Sequence, residues 1–340
     1  MRLYDTETGY ANMPEIITQP FPYILCVGGR GTGKTYGTLK FLLENHILFI
    51  YLRRTSAQME LIAKSQFSPI VQVGHDIGME LQSDMVGKYS AVVTNTDGEA
   101  VAYVMALSTI ASIRSFDASS VEILVYDECV PEVHERTIKH ESTAILQCIE
   151  TCGRNREIQG KDPLKVVFLA NANNFSAPVF DALGAIAPLE LMRNKHLTQW
   201  HSKTRGLSIV MLNDSPISAE KRDTALYRLT AGDSEFAQMA LDNAFSNDNF
   251  EDVTILPINE FSPLYGIPNT LCVYRHKSKN LYYVTDHFSG NPEIFDATKM
   301  GYARFRARSI KCWESYYNKN TKFQNAVVKA AYIKIMENKM

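Results

Sequence analysis

The chain has 340 residues, room for two domains at ~100–200 residues each. Apolar residues make up 45% and charged residues 21%, an ordinary balance that excludes a wholly disordered chain. The net charge of −2 conceals a split, with 22 Lys+Arg against 31 Asp+Glu in residues 1–252 and 13 against 6 in residues 253–340. A basic C-terminal third on an acidic body fits a polyanion contact, and fits a solvated basic face as well.

The first decapeptide, MRLYDTETGY, has no apolar core for a signal peptide, and no run of ~18 apolar residues follows anywhere. A cytoplasmic protein with no membrane partner is expected. Six cysteines (Cys26, Cys129, Cys148, Cys152, Cys272 and Cys312) include no CxxC pair, which suits free thiols better than disulfides or zinc.

In chain order, Tyr23–Gly28 (YILCVG) reads as a buried strand and Lys34–Glu44 as a helix with Leu39, Leu42 and Leu43 on one side. Residues 47–52 (ILFIYL) form a second strand ending in Arg53 and Arg54. That strand is expected to face an edge, its arginines contacting phosphate backbone or pairing with acids of the same domain. Residues 56–67 look helical, and 79–107 alternate as two or three strands around the turn at Asp97-Gly98. Residues 122–126 (EILVY) predict a third parallel strand, 141–154 a helix and 165–169 (KVVFL) a fourth strand. The texture then changes. Residues 214–248 are polar and helix-prone, with Asp233 as a cap, 271–274 and 281–285 flank a hairpin turn at 277–280, and 322–336 close the chain as a helix. The alternation of strand and helix predicts an α/β fold, a parallel sheet with helices on both faces. The expected divisions are a first, α/β domain at 1–213, a helical linker at 214–248 and a C-terminal domain at 249–340.

The segment Gly28-Gly-Arg-Gly-Thr-Gly-Lys-Thr35 matches GxxxxGK[ST] and lies between a predicted strand and a predicted helix, as the motif requires. Gly28, Arg30, Gly31, Thr32 and Gly33 would give the backbone cradle for the phosphates of ATP, since glycines let successive amides point at an anion. Lys34 would reach the β and γ phosphates, and the Thr35 hydroxyl would ligate Mg²⁺. Asp127-Glu128, at the end of a predicted strand, supplies the second half of the site. Asp127 would hold the Mg²⁺ shell, partly through water, facing the loop from the neighbouring strand, and Glu128 would polarise the attacking water. Asn171, where the fourth strand ends, is placed to sense the γ-phosphate, unless it simply starts a loop. Arg154 and Arg156 follow the helix after Glu128 and either serve a neighbouring subunit's phosphoryl group or cap their own helix. Arg114, in the loop before the third strand, has the same ambiguity.

These residues resemble the DNA-packaging ATPases of phi29-like tailed phages, a ring-forming branch of the ASCE P-loop class. The likeness is carried by GGRGTGKT (28–35), FIYLRR (49–54), VYDE (125–128), GRNRE (153–157), FLANA (168–172) and RLTAGDSEFAQMALDNAFSND (228–248). It implies a homopentameric ring on the portal of an empty capsid, pumping double-stranded DNA inward with ATP. It makes Arg154 the trans-acting arginine finger, and sets Arg114 where the family has a second trans-acting base, there a lysine. A capsid-bound structural RNA is a family partner, though no stretch here identifies an RNA surface. The family's C-terminal domain is similar to an RNase H-like nuclease that has lost its carboxylates. Residues 253–340 offer Asp286 at a strand end but no convincing partners for two-metal chemistry. Binding to nucleic acid through Arg275, Lys277, Lys279, Arg304, Arg306 and Arg308 is the expectation there. Two other readings are a terminase-type ATPase with an active nuclease and a nucleotide-dependent assembly switch.

Overall fold

The structure, a computed structural model, describes residues 1–113, 117–132, 135, 138–171, 174–229 and 252–338. Arg114 and all but the first two residues of the stretch 228–248, Asp233 included, lie outside these. The chain divides into two compact units, Met1–Leu183 with Met192–Asp248, and Gly184–Leu191 with Asn249–Met340.

The first unit runs α1 (Met13–Ile17), β1 (Tyr23–Gly28), α2 (Lys34–Glu44), β2 (Phe49–Arg53), α3 (Ser56–Ile62), α4 (Pro69–Asp76), β3 (Leu81–Met85), β4 (Ser90–Asn95), β5 (Ala100–Ala106), β6 (Ile123–Asp127), α5 (Glu141–Gly153), β7 (Lys165–Ala170) and α6 (Pro178–Ala182). After α7 (Ile186–Asn194), which begins in the second unit, come β8 (Gln199–Ser202), β9 (Leu207–Leu212), α8 (Pro216–Arg222) and α9 (Ala225–Leu229). The strands form one sheet in the order β3-β4-β5-β2-β6-β7-β1-β9-β8. The six from β5 to β9 are mutually parallel, with antiparallel β4 and β3 at one edge and β8 at the other. A central parallel strand is covered on both faces, so its sequence is an unbroken apolar run: β9 is buried at every position and β1 at all but the first. Ile24, Cys26, Phe49, Tyr51, Val125, Val167 and Leu169 point to one face and join a core with Met13, Leu39, Leu42, Met59, Ile70 and Val73 of α1 to α4.

Two sequence expectations about placement need correction. β2 is an interior strand, between β5 and β6, so Arg53 and Arg54 end in the middle of the sheet. Nor is β6 the neighbour of the phosphate-loop strand, because β7 lies between β6 and β1. Asp127 still meets the loop, since α2 begins above the carboxyl ends of the strands and Thr35 on its first turn spans the gap.

In the second unit β10 (Phe261–Ile267), β11 (Leu271–His276) and β12 (Tyr282–Thr285) form an antiparallel meander. β13 (Glu293–Ile294) runs parallel to β10, and β14 (Thr321–Phe323) parallel to β12. Two helices, α10 (Lys299–Tyr317) and α11 (Ala326–Met336), complete an α+β unit around an aromatic core of Tyr265, Phe305, Phe323 and Tyr332. The hairpin expected at 277–280 is present. The closing helix starts later than expected, at Ala326, because residues 321–323 pair as β14 and Asn325 accepts from the Val328 amide as the cap.

Candidate nucleotide site

The loop from Gly28 to Thr35 takes its form from left-handed backbone at Gly31 (φ 65°) and at Gly33 (φ 85°), the cap of α2, where a side chain would be strained. Several of its carbonyls are engaged from within the chain. Those of Gly28 and Gly29 accept from Lys34 Nζ at 2.9 and 2.8 Å, that of Arg30 accepts from Lys221 Nζ, and that of Thr32 from the Ala11 amide at 2.8 Å. Among the described residues the amides of Gly31 and Gly33 have no protein acceptor. Donors without acceptors at the positive end of an eleven-residue helix make an anion site.

Lys34 is buried, 7% exposed, and is folded back over its own loop. Burial pulls its ammonium down to about 8, with Cys26 and Asp127 opposing the shift and Lys221 adding to it. Its Nζ also donates to Asn171 Oδ1 at 3.2 Å, so the residue expected to sense the γ-phosphate already touches the lysine that would bind it.

Asp127, at the end of β6, is the hub of the acidic side. Its two oxygens each accept from Thr35 Oγ1 at 3.1 Å, and Oδ2 accepts from the Tyr51 hydroxyl at 2.5 Å and from Arg53 Nη1 at 3.2 Å. The Tyr51 phenol is pushed well up, by burial first and then by the Asp127 charge. Glu128 leaves the strand in left-handed backbone (φ 49°), a strain of about 1–2 kcal/mol for a residue with a Cβ. That turn leaves the Glu128 carboxylate half-exposed, where it pairs with Arg53 Nη2. Burial alone would lower the Arg53 guanidinium, but Tyr51 and the two carboxylates outweigh it and hold its proton more firmly. Tyr51 and Arg53 were not singled out for this site from sequence. The only cue was their alternate positions on β2, which put both side chains on the Asp127 side of the sheet.

Arg54 points the other way and is wholly buried. It makes a two-pronged pair with Glu141 at 2.8 and 3.0 Å and meets Glu135, which also accepts from Gln58 at 2.9 Å. Of the two roles foreseen for Arg53 and Arg54, pairing with acids is the one observed. A pocket of about 290 Å³ lies beside the loop, lined by Arg30, Glu128, Val130, Glu132, Glu135 and Asn171. Within it Arg30 forms an ion pair with Glu132.

Arg154 and Arg156 are separated by their surroundings. The parallel crossover β6–α5–β7 carries the end of α5 to the amino ends of the strands, opposite the loop. There Arg156 donates to the carbonyls of Val121 and, at 3.2 Å, Asp162, tying together the entries to β6 and β7. Arg154 is 46% exposed and reaches Asp117 at 3.7 Å. In the second unit, Arg275 stacks over Tyr282 (4.8 Å) and donates to Asn280, Lys277 donates to the Asn259 carbonyl and Arg306 to that of Ile335. Arg308 pairs with Glu293, while Lys279 and Arg304 are exposed. Arg275 shares a pocket of about 230 Å³ with Lys311, a base outside the expected set. Among the described residues no helix is long and apolar enough to cross a membrane, and no group of three or more His, Cys, Asp or Glu can hold a metal ion. All six thiols are buried and free.

A parallel sheet with a glycine loop and helix after β1, an acidic pair ending β6 and a further strand between them defines the additional-strand type of P-loop NTPase fold. A family model described as Podovirus DNA encapsidation protein (Gp16) matches residues 8–321, and the chain belongs to that family. It is 26% identical over 230 residues to the DNA packaging protein of Bacillus phage B103, a match covering 66% of this chain. The chain spans 64% of the length of that relative. Two solved structures share the fold. One is from the bacteriophage Phi-29 viral genome packaging motor assembly (TM-score 0.62, 19% identity, 97% of this chain and 99% of that one). The other is the Phi-28 gp11 DNA packaging motor (TM-score 0.59, 17% identity, 95% and 96%).

Proposed function

We propose that this chain is the ATP-hydrolysing subunit of a ring motor that drives double-stranded DNA into a phage capsid. The observation that carries the reading is the convergence of Thr35, Asp127 and Glu128 on one glycine loop, in a chain of the DNA encapsidation family.

In this reading the amides of the loop and the Lys34 ammonium hold the triphosphate. Thr35 Oγ1 and the two oxygens of Asp127 are hard donors within hydrogen-bond distance of one another, a set that fits Mg²⁺ bound partly through water. When bound, Mg²⁺ neutralises charge on the β and γ oxygens. Tyr51 and Arg53 fix the Asp127 carboxylate. Glu128, once out of its pair with Arg53, accepts the proton of the attacking water, and Asn171 registers the γ-phosphate through Lys34. Arg154, at the amino ends of the strands opposite its own loop, is the finger offered to the next subunit, while the two carbonyl contacts of Arg156 give it a structural role. Arg114 is kept as a second trans-acting base on the family resemblance alone.

The resemblance also supports a homopentamer docked on the capsid portal in the cytoplasm of the infected host, with a structural RNA among its partners. The C-terminal unit is then an RNase H-like relic that binds the duplex. Lys279, Arg304 and Lys311 suit contacts to phosphate that ignore sequence. The test is steady-state ATP turnover with and without double-stranded DNA across salt concentration. Stimulation by DNA that fades as salt rises supports the motor. Slow turnover indifferent to DNA favours an assembly switch, and Mn²⁺-dependent nicking lost in Asp286→Ala favours a nuclease.

A further inference from the structure

One cation that the reading above does not use reaches the phosphate loop from a separate element. Lys221 stands on the last turn of α8, just after β9, the strand that flanks β1 on the side away from the acids. Its Nζ donates to the Arg30 carbonyl. It also fills the space beside Gly31, where an added Cβ would lie 2.2 Å from Nζ and 3.1 Å from Cε. The motif leaves that position open. Glycine stands there because of its left-handed backbone and because a lysine from α8 occupies the place of a side chain. Burial holds the Lys221 ammonium below its ordinary range, and its charge helps to lower Lys34. Two ammonium groups therefore share the carbonyls of one short loop in which, among the described residues, the Gly31 and Gly33 amides lack acceptors. Like charges gathered around such a cradle are mutually unfavourable until an anion joins them.

We propose that Lys221 is a second cationic ligand for the phosphates of the bound nucleotide, supplied in cis from α8, and that nucleotide binding draws its ammonium from the Arg30 carbonyl onto a phosphate oxygen. The chemistry recognised is the polyphosphate of a nucleoside di- or triphosphate, with no demand on the base. The inference rests on the phosphate-loop reading and extends it to an element that the motif does not include.

The test is equilibrium binding of a fluorescent ATP analogue in Mg²⁺, with ATP and AMP as competitors, to the full chain and to Lys221→Met, Lys221→Arg and Lys34→Ala. Lys221→Met is expected to weaken ATP by about tenfold or more, the loss of one charge-assisted hydrogen bond, and AMP far less. Lys221→Arg should recover most of the loss, and the melting temperature without nucleotide should stay unchanged. Wild-type affinity in Lys221→Met, or an equal loss for ATP and AMP with a lowered melting temperature, would overturn the proposal. An independent arm needs no variant: acetylation of Lys221 in the native chain, read by mass spectrometry, should be suppressed by ATP and not by AMP. Equal labelling in both would overturn it too. If Lys34→Ala abolishes binding while Lys221→Met keeps wild-type affinity, only this inference fails, whereas no binding by the native chain removes the phosphate-loop reading itself.

Discussion

Lys34 carries two demands that oppose each other. The buried ammonium must be held without a phosphate, on loop carbonyls and Asn171, and must be charged when a phosphate arrives. Its proton affinity, down at about 8, expresses that tension. In the unfolded chain a lysine titrates near ~10.4. Between the two values the unfolded chain binds the extra proton, so this residue's contribution to stability rises as pH rises through that window. A bound polyphosphate favours the charged form and restores the higher value. ATP binding at about pH 8.5 is therefore expected to take up roughly half a proton or more, read by titration calorimetry in buffers of different ionisation enthalpy. Binding with no proton uptake would contradict the assignment. Asp127 shows the complementary arrangement, a carboxylate so well supplied with donors from Thr35, Tyr51 and Arg53 that its orientation is fixed before any metal binds.

At the scale of elements, the buried pair of Arg54 with Glu141 joins the end of β2 to the first turn of α5. Removing Glu141 takes the two-pronged, fully buried partner from the Arg54 guanidinium and leaves it the part-exposed Glu135. Glu141→Gln is expected to cost about 3–5 kcal/mol. That corresponds to a fall of roughly 6–20 °C in the unfolding midpoint of a unit this size. The double replacement Arg54→Met with Glu141→Leu should lose less, because no charge is left in the interior and the part-exposed Glu135 keeps its bond from Gln58. Equal losses in single and double variants would refute this view of the pair. The elements also differ in how plainly the sequence announces them. α2 and β1 were legible to the residue, since glycine punctuation and a clean apolar stripe coincide there. α10, the longest helix among the described residues, escaped because its buried positions are Gly301, Phe305, Ser309, Cys312 and Ser315, a stripe of mostly small residues that hydropathy does not register. β9, an apolar run after Gly206, was passed over, and no local signal pairs it with β1. The same limit hid Lys221. Its distance from the loop is a product of sheet order, and sheet order is decided by contacts far apart in the chain. Arg53 was misplaced at an edge for that reason too.

For the whole molecule, if Arg154, remote from its own loop, acts in trans as proposed, each site needs two subunits. Mixing Arg154→Ala subunits with Glu128→Gln subunits should restore part of the ATP turnover each lacks alone, since a mixed interface pairs an intact Glu128 with an intact Arg154. Activity absent at every mixing ratio would count against action in trans.

The most direct measurement compares ATP binding and turnover in the native chain and in Glu128→Gln. Binding should persist in the variant, because Lys34, Thr35 and Asp127 are intact, while turnover falls by about 10²-fold or more. Turnover undiminished in Glu128→Gln, or a native chain that never engages ATP, would contradict the assignment of this loop and acidic pair as the engine of the protein.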